Sequence, residues 1–243
     1  MKKGIVVLLL LGVASVALAQ TKQEYKVKLN NFKTPATLVQ YEGGKKLISK
    51  TPKTYVPNQN DVESLILALI SVDSASDLNK FDYKNREIES QELLDELAKL
   101  KRDSLYLIIF DVLYFTNDNG VEYCVAKVAY NYGNGKLFCR HERFSKIEGK
   151  WFHKILHNEM NFYYEYVIWT QSQEVVKDVF VDLKSDIPLV QDWLNKTITK
   201  EGSVDFKAYF DLINQELDNR NQEVRQVLHK CIVQTFDKDK KTK

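Results

Sequence analysis

The sequence predicts an α+β protein: helices packed on an antiparallel four-stranded meander, followed by an all-helical C-terminal extension. Three observations carry this. The steps Asn134-Gly135 and Glu148-Gly149 and the Gly-ended loop Thr116 to Gly120 interrupt runs of β-branched and aromatic residues, so Leu105 to Leu156 reads as four consecutive strands joined by turns. Before it, Val62, Leu65, Ile66, Leu69 and Ile70 recur at helical spacing, and after it helical spacing returns as far as Ile232. Helices followed by a meander give an α+β layer.

Taken in order, the chain opens with Lys2 and Lys3, an apolar run from Ile5 to Leu11 and the small-residue step Ala17-Leu18-Ala19. That is the pattern of a secretory signal peptide, so residues 1–19 are expected to be removed and the product to be periplasmic or secreted. The apolar run is short for a membrane span and no later run approaches the needed length, so an integral membrane protein is not expected and a membrane anchor stays only as the minor alternative. Without residues 1–19 the chain carries 33 basic against 33 acidic side chains. Nucleic-acid binders need a basic excess to displace counterions, so no nucleic-acid partner is expected.

Residues 20–57 read as a basic, weakly ordered lead-in with eight lysines between Lys22 and Lys53. Tyr25, Val27 and Leu29 alternate like an edge strand, and Glu42-Gly43-Gly44 reads like a hairpin, but Pro35, Pro52 and Pro57 break continuity. The first helix starts after Asn58 or Asn60 as the cap. A short irregular helix is expected around Leu78 to Tyr83, and a third from the Ser90 cap through Leu93, Leu94, Leu97 and Leu100. The first meander strand is apolar at both parities, with Leu107, Ile109, Leu113 and Phe115 on one side and Tyr106, Ile108, Phe110, Val112 and Tyr114 on the other. A strand apolar on both faces is expected to be covered on both.

Past the meander, residues 158–236 form the helical extension. Phe162, Tyr166, Trp169, Val176, Phe180 and Leu183 favour a helix. Pro188, just inside its start, opens the next, with Leu189, Val190, Trp193, Leu194 and Ile198. Gly202-Ser203 restarts the chain into one long helix or two, and residues 237–243 fray. These later helices are expected to cover the second face of the sheet.

The helix order together with the closing hairpin, Phe144-Ser145-Lys146-Ile147-Glu148-Gly149-Lys150-Trp151-Phe152-His153-Lys154-Ile155, resembles the nuclear-transport-factor-two-like, or cystatin-like, superfamily in its exported bacterial forms. The resemblance covers about residues 58–156 and defines the expected cystatin-like domain, 58–157. It implies helices curling onto a strongly bent sheet to make a cone with an open mouth. It does not imply one function, because the same cone hosts isomerases, hydratases, ligand binders and structural modules.

Asp111 is the candidate catalytic residue. A carboxylate on the side of Ile109 and Leu113 would have a raised pKa suited to a general base, the role pocket carboxylates play in the isomerases of the resembled family. The competing reading is an ion pair, since pairing Phe115 with Val121 places Lys127 diagonally across from Asp111. Tyr106, Tyr114, Tyr123, Tyr130, Trp151 and His153 are candidate ligand-binding residues lining a mouth; ordinary cross-strand packing is the competing reading.

No metal site or cofactor is expected. On strands, His153 and His157 would lie about 13 Å apart, and no His or Cys pair has zinc spacing. No nucleophile motif or phosphate-cradling glycine loop is present, and no Cys has an identifiable His partner. If Asn134-Gly135 is a two-residue turn, paired positions sum to 269, which puts Cys139 opposite Tyr130 and Cys124 near Ser145, roughly 20 Å apart along the ladder and beyond disulfide reach. A bond from Cys231 to either stays open. Asn195-Lys196-Thr197 fits a glycosylation acceptor only in a eukaryotic secretory source.

Three functional readings follow. The first is an exported, non-catalytic binding or interaction protein for a small molecule or a protein. The second is a small-molecule enzyme of isomerase or hydratase type using Asp111. The third is a structural periplasmic protein, a homodimer through the sheet. An enzyme would hold Asp111 at the floor of a deep pocket, and a binding module would have it neutralised by Lys127.

Overall fold

The computed structural model describes residues 21–30, 32–49, 56–71, 80–81, 105–131, 137–153, 163–218, 222–230 and 232. Its sheet has six antiparallel strands in sequence order, β1 (Lys22–Val27), β2 (Ala36–Ile48), β3 (Tyr106–Thr116), β4 (Glu122–Asn131), β5 (Leu137–Ile147) and β6 (Lys150–His153). Helix α1 (Val62–Ser71) precedes β3. After β6 come α2 (Tyr163–Thr170), α3 (Gln173–Lys177) running into a π-helical stretch (Asp178–Asp182), α4 (Pro188–Thr197), α5 (Phe206–Asp218) and α6 (Val224–Val227).

The sheet therefore has six strands where four are expected from the sequence. The lead-in supplies the other two, correcting the expectation of weak order. Tyr25 and Val27 alternate as an edge strand would, while β2 runs through Gly43-Gly44 without turning back. Those glycines do not close a hairpin. Pairing with β3 jumps from Gln40↔Asp111 to Lys45↔Ile109, so Tyr41 to Gly44 bulge opposite the single residue Phe110. Both take positive φ, 71° and 87°, which only glycine adopts cheaply. At Gly44 a Cβ would also lie 2.3 Å from Ile108 Cγ2 and 2.7 Å from the Phe110 ring.

A second bulge sits beside the first. Pairing of β3 with β4 passes from Ile109↔Val128 to Val112↔Ala126, leaving Phe110 and Asp111 opposite Lys127. The side-chain alternation of β3 therefore skips a beat. Leu107, Ile109 and Val112 face α1, whereas Phe110, Leu113 and Phe115 face the later helices. This corrects the expected grouping of Asp111 with Ile109.

The register of β4 and β5 also differs by one, because Asn131 pairs with Leu137 across a five-residue connection rather than a two-residue turn. Cys139 lies opposite Ala129 and Cys124 opposite Phe144. The two cysteines consequently belong to different cores on opposite faces of the sheet. The Asn134-Gly135 step and Cys231 lie outside the described residues. The last hairpin is as expected, with Ile147 paired to Lys150 and Glu148 and Gly149 at positive φ.

One core packs α1 against the sheet, joining Leu65, Ile66, Leu69 and Ile70 to Leu107, Ile109, Val112, Val128, Phe144 and Trp151. The N-cap of α1 is Asp61 rather than an asparagine, its carboxylate accepting from the Glu63 amide at 3.1 Å. Glu63 in turn receives bonds from Tyr41 and Lys45, tying α1 to β2. The helices expected around residues 78–83 and from Ser90 fall almost wholly outside the described residues.

The other core joins the helices from Tyr163 onward to the opposite face: Val167, Ile168, Val175, Val176, Val179, Trp193, Phe206, Tyr209 and Ile213 pack with Leu38, Phe110, Leu113, Val125 and Ala129. Ser172 caps α3, accepting from the Val175 amide. Pro188 occupies the first turn of α4, and Asp205 accepts from the Lys207 and Ala208 amides at the start of α5.

Candidate functional site

Asp111 and Lys127 meet where the two bulges coincide. Both side chains are 0% exposed, and Lys127 Nζ lies 2.5 Å from Asp111 Oδ2. The bulges turn backbone groups out of the ladder, and the junction between α2 and α3 satisfies them. Gln173 Nε2 donates to Tyr41 O at 2.9 Å and to Phe110 O at 3.1 Å. Gln40 Nε2 bridges Asp111 Oδ1 at 2.8 Å and Gln173 O at 3.0 Å. Lys127 Nζ donates to Gln171 O at 2.8 Å. The junction is itself pinned by α6, with Ser172 N donating to Val227 O and His229 N to Thr170 O. A carboxylate so placed faces a lysine and two glutamines inside packed protein, so of the two readings of Asp111 the ion pair is the one observed.

Of the six candidate ligand-binding residues, Tyr114, Tyr130 and Trp151 pack into the α1-side core, and His153 reaches the same face through Phe144. Tyr106 and Tyr123 do not join them. Tyr106 accepts from Asn131 Nδ2 and lies under Lys46, and Tyr123 stacks on Phe115 in the other core.

What draws the α1-side group together is Glu142. Its buried carboxylate accepts from Tyr130 Oη at 2.7 Å and lies 2.8 Å from His153 Nε2. Burial pushes the carboxyl up, but the hydrogen bond and charge of His153, with help from Arg140 and Tyr130, outweigh it and hold Glu142 below its ordinary value. Phe144 and Trp151 stand along the neighbouring register, Trp151 edge-on to Tyr114 at 5.9 Å between centroids. Burial raises the Tyr114 phenol, so it stays a neutral wall.

The sequence analysis names His153 but neither Glu142 nor the pair that the two form. The signal was available: the Glu148-Gly149 turn pairs His153 with Phe144, one alternation from Glu142. Among the described residues no group of three or more His, Cys, Asp or Glu side chains gathers as a metal site. Two further clusters had no local signal. Cys139 Sγ lies 3.5 Å from His229 Nδ1, ninety residues away. Glu165 accepts from Arg143 Nε at 2.6 Å, with His141 Nε2 at 3.9 Å. Burial lifts Glu165 to about 7 against the opposing Arg143 charge. Burial, then the positive charge of Arg143, takes His141 down to about 4.

Among the described residues no helix is long and apolar enough to cross a membrane. No family model matches the sequence, and no curated protein or solved structure matches it either.

Proposed function

We propose that this chain is an exported, non-catalytic binding protein and that its site is the α1 face of the sheet around Glu142. The observation that carries this is the division of labour between two buried carboxylates. Asp111 is consumed by Lys127 and the glutamines that close the bulges. Glu142 instead orients a phenol and an imidazole among aromatic side chains. Such a site suits a small, mostly apolar ligand with one hydrogen-bonding group, the aromatic walls supplying area and the Tyr130–Glu142–His153 group fixing orientation. The resemblance to the nuclear-transport-factor-two-like superfamily, with its cone, points to the same face, since α1 and the Trp151 hairpin both lie there.

Export rests on Lys2, Lys3, the apolar run and Ala17-Leu18-Ala19, all outside the described residues. N-terminal sequencing of the product is expected to begin at Gln20. The enzyme reading loses support with the neutralisation of Asp111, and the dimer reading with the helices packed on both sheet faces.

A thermal-shift panel of small amphipathic compounds tests the proposal. A ligand at one hundred times its dissociation constant adds about 2.7 kcal/mol, a shift of several degrees. The shift should persist in Gln171→Ala, on the other face, and vanish in His153→Gln. A ligand that stabilises both variants equally would place its site elsewhere.

A further inference from the structure

We propose that the outer edge of β1 is an interface with a second copy of this chain, the two sheets joining antiparallel about a two-fold axis at Tyr25. Strand β1 ends the sheet and pairs only with β2. Thr21 stands one step beyond the Lys22↔Tyr41 pair, opposite Glu42, and its carbonyl accepts from the Glu42 amide at 3.2 Å. Alternation along an antiparallel pair then turns the N–H and C=O groups of Gln23, Tyr25 and Val27 toward β2, and those of Lys22, Glu24 and Lys26 outward. Among the described residues no backbone group bonds to these outward groups. Lys22, Glu24 and Lys26 are exposed, on the face opposite to Tyr25 and Val27, which meet the later-helix core. Pairing at this edge differs from a dimer through the faces of the sheet, which helices occupy.

An open edge is a template for another strand, and lysines commonly guard it by repelling a second copy. On β1 a glutamate stands between the two lysines, so the strand can oppose unlike charges to itself. Residues directly opposite in a two-fold antiparallel pair share a face, so the axis passes through one residue of the strand. With Glu24 on the axis, Glu24 meets itself and Lys22 meets Lys26, like against like. Lys26 on the axis also meets itself. With Gln23 there, Lys26 falls beyond the start of the partner strand. With Tyr25 there, Glu24 lies opposite the partner's Lys26, Lys26 opposite the partner's Glu24, and Gln23 opposite the partner's Val27. Lys22 then faces the partner's Lys28, which lies past the strand and whose ammonium is held on the Glu201 carbonyl at 2.9 Å. The outward groups of Glu24 and Lys26 close about four backbone hydrogen bonds. The two half-buried Tyr25 rings meet across the axis as a cross-strand aromatic pair. So short an edge makes a small interface, and the dimer is reversible.

Sedimentation velocity of the mature chain, from low-micromolar to near-millimolar concentration, tests the proposal together with a charge swap. The wild type should pass from monomer to dimer. Glu24→Lys sets lysine against lysine twice across the axis and should weaken the dimer by at least ~10-fold, while adding Lys26→Glu should restore it. The register has its own readout. Opposed Tyr25 Cα atoms lie about 4.5 Å apart in such a pair, within disulfide reach, so Tyr25→Cys should give a disulfide-linked dimer on mild oxidation. Gln23→Cys, which faces the partner's Val27, should link at least ~10-fold more slowly. Should Tyr25→Cys fail to fold, the charge swap at the exposed positions 24 and 26 still decides. A monomer at every concentration, an undiminished dimer in Glu24→Lys, no recovery in the double variant, or Gln23→Cys linking as fast as Tyr25→Cys would each overturn the proposal.

Discussion

Replacing Lys127 with methionine removes one half of an ion pair whose two side chains have no solvent contact. Methionine keeps most of the volume, so the cost is chiefly electrostatic: Asp111 is left charged and buried with only the Gln40 and Gln173 amides beside it. Stranding one partner of a buried pair costs about 3–5 kcal/mol. For a chain of this length that corresponds to a fall in Tm of roughly 10 °C. Adding Asp111→Asn removes the stranded charge while keeping an acceptor for Gln40. The remaining penalty is then the Gln171 carbonyl that loses Lys127, about 1–3 kcal/mol. The double variant should therefore be more stable than Lys127→Met alone by about 2 kcal/mol. Urea unfolding followed by tryptophan fluorescence measures the wild type, Lys127→Met, Asp111→Asn and the double variant, and Trp151 on one face with Trp169 and Trp193 on the other reports both cores. A coupling energy under about 0.5 kcal/mol would mean that the two groups act independently, and the account of the bulge would fail.

Two further outcomes are expected. Gly44→Ala should cost about 2–4 kcal/mol, because φ of 87° and the Phe110 ring both oppose a Cβ, while Gly43→Ala, with open space around it, should cost about 1–2 kcal/mol in the same assay. The Glu165 carboxyl, lifted to about 7, makes the native state hold a proton that the unfolded chain has lost above about 4.5. Its contribution is complete below that pH and is lost as pH rises through 7. His141, taken down to about 4, contributes with the opposite slope between about 4 and 6.5. The two slopes offset one another, so Glu165→Gln should expose a gain of stability from pH 4.5 to 6.5 of about 1–3 kcal/mol in denaturant titrations; an unchanged profile would contradict the burial of Glu165.

What was legible in the sequence is what depends on local chemistry. The stripe from Val62 to Ile70 located α1, Pro188 opened α4, and Glu148-Gly149 fixed the last hairpin and its register. The double-sided apolar character of β3 announced cover on both faces. Asn134 misled because a hairpin with five connecting residues looks like one with two when glycine sits near the middle, and one step moves every partner. The paired bulges left no trace in hydrophobic pattern, because β3 is apolar at both parities and a skipped beat in it changes no apolar position to a polar one. Lysines and prolines between Lys22 and Pro57 suggested a loose arm, yet β1 is an edge strand that tolerates exposed lysines, and β2 gains its order from β3. Gln171 and Gln173 gave no signal, since their partners are up to 133 residues away.

The way Gln173 closes the bulges has a consequence for synthesis and for dissection of the chain. A nascent polypeptide that has delivered β2 to β4 still carries the Tyr41 and Phe110 carbonyls without the Gln173 amide, and the Lys127 ammonium without the Gln171 carbonyl, and these arrive only once residue 173 has been made. The sheet cannot reach its final hydrogen-bonded form as the chain emerges, and its completion waits for the last third of the molecule. A fragment ending near residue 157 would keep the residues that resemble a self-standing domain and yet lack its keystone.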